Sequence, residues 1–382
     1  MSKNVYSASI YFIVFSWFAM HFGGGFASGR QVVEFYVMWG WTALFMPLLS
    51  IAIIGLASYF IFKRAVEKRL FDYRSWANDF YKNNFLATIF DVIIILLLLI
   101  VCAVVVATGG QVLYDLLRIP VFLGALLLSA AIWVVTILGA ETVRKVSSYI
   151  ALFLALTLVI IFGTHFLTNY QAIGVHVVER SMGGTYFDAL WNMILYFGLQ
   201  MITASVIIAL LEPIKTIEEV KKVAVLGVII NAFVITVVSW GMLVDYPDII
   251  PQPVPTLFVT ESGIGGDYGF ALVSLIILFG AFTTGVVSVY GNSRRFVEWW
   301  AKRTASEPNR PKFIVISFIW IVLMYFIALF GIVDLVAIGY RYLAFINVFY
   351  IGLPVIVVGV CQSIKRDKEK KNSSKLCQDE RV

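Results

Sequence analysis

Apolar runs of about twenty residues or more alternate with short polar stretches from one end of the chain to the other. A helix rises about 1.5 Å per residue and the hydrocarbon core of a bilayer is about 30 Å thick, so such a run reads as a spanning helix. The pattern predicts ten spans, at 7–36, 40–62, 86–115, 119–139, 146–167, 186–211, 222–244, 268–299, 313–331 and 334–361. As helices the third and eighth exceed the hydrocarbon thickness, which implies tilt. Between spans two and three, the polar stretch 63–84 interleaves Phe71, Tyr73, Trp76, Phe80 and Tyr81, as an amphipathic helix on a membrane surface does. A loop carrying Gly174, Gly183 and Gly184 leads to the sixth span, and a Pro- and Gly-rich stretch, 245–267, precedes the eighth. The chain from 362 to 382 is charged and poor in apolar residues, which predicts a disordered tail behind one transmembrane domain, 1–361.

The first span is interrupted at its middle by Phe22-Gly23-Gly24-Gly25-Phe26-Ala27-Ser28-Gly29-Arg30. Each glycine costs about 1 kcal/mol relative to Ala in a helix interior. An unwound backbone at membrane depth survives only where protein, water or a ligand satisfies its amides and carbonyls. A glycine-rich break is therefore a candidate binding site, with a kink or a close helix crossing as the alternative. Ala27-Ser28-Gly29 offers the small residues of a signal cleavage site, but Arg30 and Glu34 follow and the apolar run resumes, so the segment reads as a retained span.

The ten spans divide into two sets of five. With span one laid over span six, Phe22-Gly23 falls on Phe197-Gly198, 175 positions on. With span three laid over span eight, Thr108-Gly109 and Tyr114 fall on Thr284-Gly285 and Tyr290, 176 positions on. The repeats are 7–167 and 186–361; five is odd, so the second copy lies inverted in the membrane. Inverted repeats with broken helices in matching positions mark secondary transporters, with the site at the repeat interface.

Composition agrees: 60% of residues are hydrophobic and only 14% charged, which excludes an ordinary soluble domain. The net charge of +6 is no nucleic-acid footprint, because Lys and Arg gather in alternate connections and the tail. Only Arg30, Arg118, Arg180 and Arg341 fall on the other side, and 245–267 holds four acids and no Lys or Arg. That asymmetry predicts both termini in the cytoplasm of a multi-pass cell-membrane protein. Cys102, Cys361 and Cys377 show no metal or disulfide spacing, His21, His165 and His176 are scattered, and no catalytic pairing stands at one depth, so an intramembrane enzyme is disfavoured.

The chain resembles the amino acid–polyamine–organocation superfamily, which has the leucine-transporter fold. Within it, Gly23-Gly24-Gly25-Phe26-Ala27-Ser28-Gly29-Arg30-Gln31 looks like the start of the YkvI-like bacterial membrane proteins. The resemblance covers roughly 7–361 and implies broken first and sixth spans that hold a substrate's carboxylate and amino groups. Carried over, the substrate-binding residues are Gly23, Gly24, Gly25, Phe197, Gly198 and Gln200. Phe26, Ser28, Tyr196, Thr108 and Gln111 are further candidates around the breaks and on span three, with His21 in a structural role. The resemblance also implies a sodium site of Thr283, Thr284, the Gly280 carbonyl and carbonyls near Ala19 and Phe22; hydroxyls bonding back within their own helix are the alternative. No other cofactor is implied. Arg30 and Glu34 are four apart on one helix face, and Arg341 lies inside span ten with Asp334 as a possible partner. These three, Arg30, Glu34 and Arg341, read as an outer gate. The expected function is alternating-access transport of an amino acid or similar small amphoteric solute across the lipid bilayer. A transporter-like amino-acid receptor of the germinant-receptor type is the alternative.

Overall fold

The computed structural model describes residues 3–22, 24–138, 141–261, 266–304, 307 and 309–365. Among them every regular element is helical. Among the described residues nine helices are long and apolar enough to cross a membrane, and the apolar helix Ser9–His21 accompanies them. Large apolar side chains point outward along these helices, among them Phe12, Leu127, Phe187 and Phe318. Such a surface suits lipid. The protein is an all-helical, multi-pass membrane protein.

The first span comes in pieces: α1 (Lys3–His21), α2 (Gly24–Ala27) and α3 (Arg30–Phe35), followed by a tight 3-10 stretch, Val37–Leu44. Next come α4 (Met46–Lys68), the short α5 (Tyr73–Tyr81), α6 (Asn84–Leu117), α7 (Val121–Leu138) and α8 (Glu141–Val178). The second set is α9 (Tyr186–Ile207), α10 (Ile217–Leu243), the short α11 (Pro255–Glu261), α12 (Gly266–Arg303) and α13 (Arg310–Ala328). The tenth span, Ile332–Lys365, opens with α14 (Ile332–Asp334), passes through a wide π-helical turn at Leu335–Tyr340, and continues as α15 (Arg341–Asn347). A second π-helical turn follows at Val348–Gly352.

Polar residues at the ends set where these helices begin and stop. Asp72 accepts from the Ser75 N–H at 2.8 Å to start α5, and Asn83 accepts from the Phe85 N–H at 2.8 Å to start α6. Reciprocal capping boxes, Thr185 with Asp188 and Thr216 with Glu219, open α9 and α10. Arg69, Lys82 and Arg118 close α4, α5 and α6 in the left-handed region, with φ of 55°, 51° and 57°. Their charges complement the negative ends of those helices.

The two sets pack as the repeat predicts. The long helices α6 and α12 lie against each other, as do α4 and α10. Around these pairs the contacts interchange: α1 packs on α10 as α9 packs on α4, and α7 packs on α12 as α13 packs on α6. The two short helices, α5 and α11, occupy equivalent places in the order.

Two expectations change. The sixth span is not broken at 197–200: α9 is one α-helix from Tyr186 to Ile207, and it tightens to a 3-10 turn only at Ile208–Leu210. A single glycine there is too small a penalty to unwind a helix packed on both sides. The fifth span is longer than 146–167, and it takes up Gly174, expected in a loop; an isolated exposed glycine does not stop it. Asn169, at φ −122° and ψ 20°, marks a kink in it.

Candidate functional site

The break in the first span is a double corner. α1 ends at His21, where the Phe22 N–H still reaches the Phe18 carbonyl at 2.9 Å. Gly24, Gly25 and Phe26 then open α2, and the first N–H groups of a helix have no partner inside it. The second corner falls at Ser28-Gly29. Ser28 Oγ donates to the Gly25 carbonyl at 2.8 Å and accepts from the Arg30 N–H at 3.2 Å. Gly29 sits at φ 82°, which an L side chain rarely adopts. α11 clasps this corner: Thr256 Oγ1 donates to the Ala27 carbonyl at 2.8 Å, and its N–H to the Ser28 carbonyl at 3.1 Å. The second corner is thus closed by protein, whereas the first N–H groups of α2 have no partner within their own helix.

Neutral polar side chains gather around the break. His21 Nε2 and the Tyr196 hydroxyl share a hydrogen bond of 2.8 Å, and Tyr196 also bonds the Gln200 side chain. On the other flank Gln31 bonds the Tyr340 hydroxyl. A Cβ built on Gly25 would lie 3.2 Å from that hydroxyl, 3.3 Å from Gln31 Nε2 and 3.3 Å from Val104 Cγ1, so α2 touches the pair with bare backbone. His21 Nδ1 and Gln31 Oε1 are buried without a partner. Aromatic rings enclose the cluster: Phe22 stacks on Phe18 at 4.6 Å and meets Phe26 edge-on at 4.3 Å, and Phe35 and Tyr36 lie 5.5 and 5.0 Å from the Tyr196 ring. Burying unpaired polar groups costs free energy, so a cluster of this kind invites a ligand that pairs them.

One or two turns away lies a charged cluster. Glu34 bridges two arginines, accepting from Arg30 at 2.9 Å through Oε2 and from Arg341 at 2.7 Å through Oε1. Arg30 also donates to the Ile250 carbonyl at 2.5 Å and the Gln252 carbonyl at 3.3 Å. Arg30 and Glu34 are 4% and 3% exposed, so these charges are held by one another rather than by water. Arg341 thus takes Glu34 as its partner; Asp334, the partner considered from sequence, is exposed.

Of the other expected site residues, some join the cluster and some do not. Gly24, Gly25, Phe26, Tyr196 and Gln200 surround it, and Ser28 serves the corner. Gly23 lies outside the described residues. Phe197 and Gly198 face the tenth span: a Cβ on Gly198 would lie 2.5 Å from Val348 Cγ2, and Phe197 packs on Gly352. Thr108 Oγ1 donates back to the Val104 carbonyl at 2.8 Å. Gln111 bonds Asp115 at 3.0 Å and lines a separate cavity of about 140 Å³ at the end of α6, with Arg118, Gln252, Leu257 and Glu261. Among the proposed sodium ligands, Thr283 Oγ1 donates to the Gly280 carbonyl at 3.1 Å, the back-bonded arrangement. α12 packs on α2, the short helix that follows Phe22. Gln31 and Tyr340 were missed by sequence reasoning. Both had a signal, as uncharged polar neighbours of Arg30 and Arg341 inside apolar runs.

Among the described residues no three of His, Cys, Asp and Glu gather as a metal site. No family model matches the chain, and no curated protein matches it by sequence. Solved structures do. A Na+-coupled sialic acid symporter, in a substrate-bound outward-open state, aligns over 92% of this chain and 84% of its own, with a TM-score of 0.50 and 15% identity. The manganese transporter of Eremococcus coleocola aligns over 94% and 88%, with a TM-score of 0.55 and 12% identity. The same transporter in complex with an aromatic bis-isothiourea compound gives 0.53 at 13% identity, over 95% and 88%. At such identities the likeness is one of fold, and the fold is that of these membrane transporters.

Proposed function

We propose that this protein is a secondary transporter of an amino acid or a similar small amphoteric solute, working by alternating access. The observation that carries the reading is the opening of α2 onto a buried cluster of neutral polar groups. A solute carboxylate fits the amides of Gly24, Gly25 and Phe26, where the positive end of a helix dipole adds to N–H donation. The ammonium meets acceptors: Gln31 Oε1 and the carbonyl end of α1. Phe22, Phe26 and the Tyr196 ring enclose an apolar side chain. The Arg30–Glu34–Arg341 cluster acts as the outer gate, linking α3 to the tenth span and to the chain before α11. Sodium is the coupling ion in this reading, held by Thr283, Thr284, the Gly280 carbonyl and carbonyls of the broken span. The basic ends of the helices mark the cytoplasmic side, so both termini lie inside.

Gly25→Val tests the site. Its branched side chain would separate α2 from the Gln31–Tyr340 pair and restrict the backbone angles that present the amides. Two charge-assisted bonds of about 1.5–3 kcal/mol each are lost, which weakens affinity by on the order of 10²- to 10⁴-fold while the protein stays folded in detergent. A lowered melting temperature with near-normal affinity on the same preparation would show that the glycines serve packing alone.

A further inference from the structure

A cleft of about 160 Å³ lies far from the break, at the Lys- and Arg-rich end, between the last turns of α4, the short α5 and the end of the tenth span. Its floor is apolar, formed by Phe60, Trp76 and Val355, the last two 1% and 2% exposed. Its rim is basic: Lys63, Arg64 and Lys68 stand on successive turns of α4. Two of these cations share one carboxylate. Arg64 Nε donates to Asp79 Oδ2 at 2.7 Å and Nη2 to the Asp79 carbonyl at 2.9 Å, while Lys68 Nζ reaches both carboxylate oxygens at 2.6 and 2.8 Å. Lys63 lies 5.9 Å from the Tyr59 ring and pairs with no carboxylate among the described residues. With Glu67 and Asp79 as the two acids against three cations, the cleft keeps a positive balance.

An apolar floor under a basic rim, at the level where spanning helices end, has two requirements of its occupant. It must carry negative charge at one end and hydrocarbon at the other. A phosphate accepts charge-assisted hydrogen bonds from ammonium and guanidinium groups. Glycerol and the first acyl carbons would meet Phe60 and Val355. The chains would leave over Val357 and Val360, which are 58% and 38% exposed on the tenth span. A single water needs about 10–15 Å³ by the same measure, so the cleft has room for a headgroup phosphate with its ester carbons but not for whole acyl chains. Basic pockets between spans on the cytoplasmic side are the usual seats of anionic headgroups. The geometry points to a binding site for an anionic phospholipid, its phosphate between Lys63, Arg64 and Lys68, tying α4, α5 and the tenth span together. Inorganic phosphate would use the rim and leave the floor unused, so a lipid is the occupant.

The full-length protein in a neutral detergent provides the test. Its melting temperature is measured with added phosphatidylglycerol, with phosphatidylcholine and with inorganic phosphate. Phosphatidylglycerol is expected to raise it by about 2–4 °C or more, the other two by less than 1 °C or about that. Lys63→Gln with Lys68→Gln should remove most of the phosphatidylglycerol shift. If that double variant does not fold, Lys63→Gln alone, which breaks no ion pair, should still remove about half of it. Native mass spectrometry of the wild-type protein from an equal mixture of the two lipids should show phosphatidylglycerol retained in excess. Absence of a shift, equal shifts from both lipids, an equal shift from phosphate, or an undiminished shift in the lysine variants would each overturn the proposal.

Discussion

Laid over one another in sequence, the first and sixth spans match, yet one is broken and the other is continuous. His21 and Tyr196 stand 175 positions apart, the offset of that match, and hydrogen-bond to each other. Immediately after His21 the chain has Phe22 and three glycines, and α1 stops. After Tyr196 it has Phe197, one glycine, Leu199 and Gln200, and α9 runs on. One glycine costs about 1 kcal/mol, which packing easily offsets; the run of glycines and then Ser28-Gly29 cut the first span into the short pieces α1, α2 and α3. Gly198 has a different use: it lets α9 approach the Ala344 carbonyl and Val348 on the tenth span. In the candidate site the first span brings bare backbone at Gly25 beside the side chains of His21 and Gln31, and α9 brings the side chains of Tyr196 and Gln200. Matching residues in a repeat do not imply matching conformation.

The charges sharpen this contrast, because α3 carries Arg30 and Glu34 and α9 has no equivalent pair. Glu34→Gln leaves two arginines without their shared carboxylate, one of them 4% exposed. Loss of one member of a buried pair costs about 3–5 kcal/mol, so a large fall in melting temperature is expected. If stability is unchanged, the cluster does not hold α3 in place. Gly198→Val comes next. Its Cβ would press on Val348 and on backbone of the tenth span, and overpacking of this kind costs up to about 3 kcal/mol. Melting temperature should fall with affinity little changed in the folded fraction, the reverse of Gly25→Val. Equal loss of binding from both glycine variants would mean that both spans present backbone to the solute.

Tyr196→Phe removes the hydroxyl that joins the two copies and leaves His21 Nε2 and Gln200 unpaired, at about 1–2 kcal/mol. A thermal melt checks it, and a neutral result would mean that the bond is made only in one state of the cycle. The smallest effect is expected at the basic end. Burial alone would raise the Asp79 carboxyl, but Lys68 and Arg64 together hold it below its ordinary 3.8. A carboxyl lowered in the folded protein contributes stability above the ordinary value and loses it as pH falls through the folded one. Melting temperature should therefore decline below about pH 4, by an amount worth under about 1 kcal/mol, and the decline should shrink in Asp79→Asn.

Much of the fold could be read in the sequence, because membrane spans are written in runs of apolar residues long enough to leave no other reading. The nine long apolar helices among the described residues, the shorter one before them and the Arg30–Glu34 contact followed from length, spacing and charge. The site was less legible. Gln31 and Tyr340 sit 309 positions apart, and only packing brings them together beside Gly25. Thr108 and Gln111 fell on the right helix, but hydrogen-bonding preferences turned Thr108 back to the Val104 carbonyl and Gln111 toward Asp115. Whether a glycine unwinds a helix or lets two helices touch depends on the neighbour, and for Gly198 that neighbour is Ala344, in the last span.

The central claim is net movement of a small amphoteric solute through the broken span. The direct measurement is uptake of labelled amino acids by proteoliposomes holding the full-length protein, with and without an inward sodium gradient. The account predicts saturable accumulation that the gradient increases, that Thr283→Ala with Thr284→Ala makes indifferent to sodium, and that Gly25→Val reduces at least a hundredfold in apparent affinity. Saturable binding of an amino acid with no accumulation under any gradient would contradict it and make the protein a receptor built on a transporter's fold.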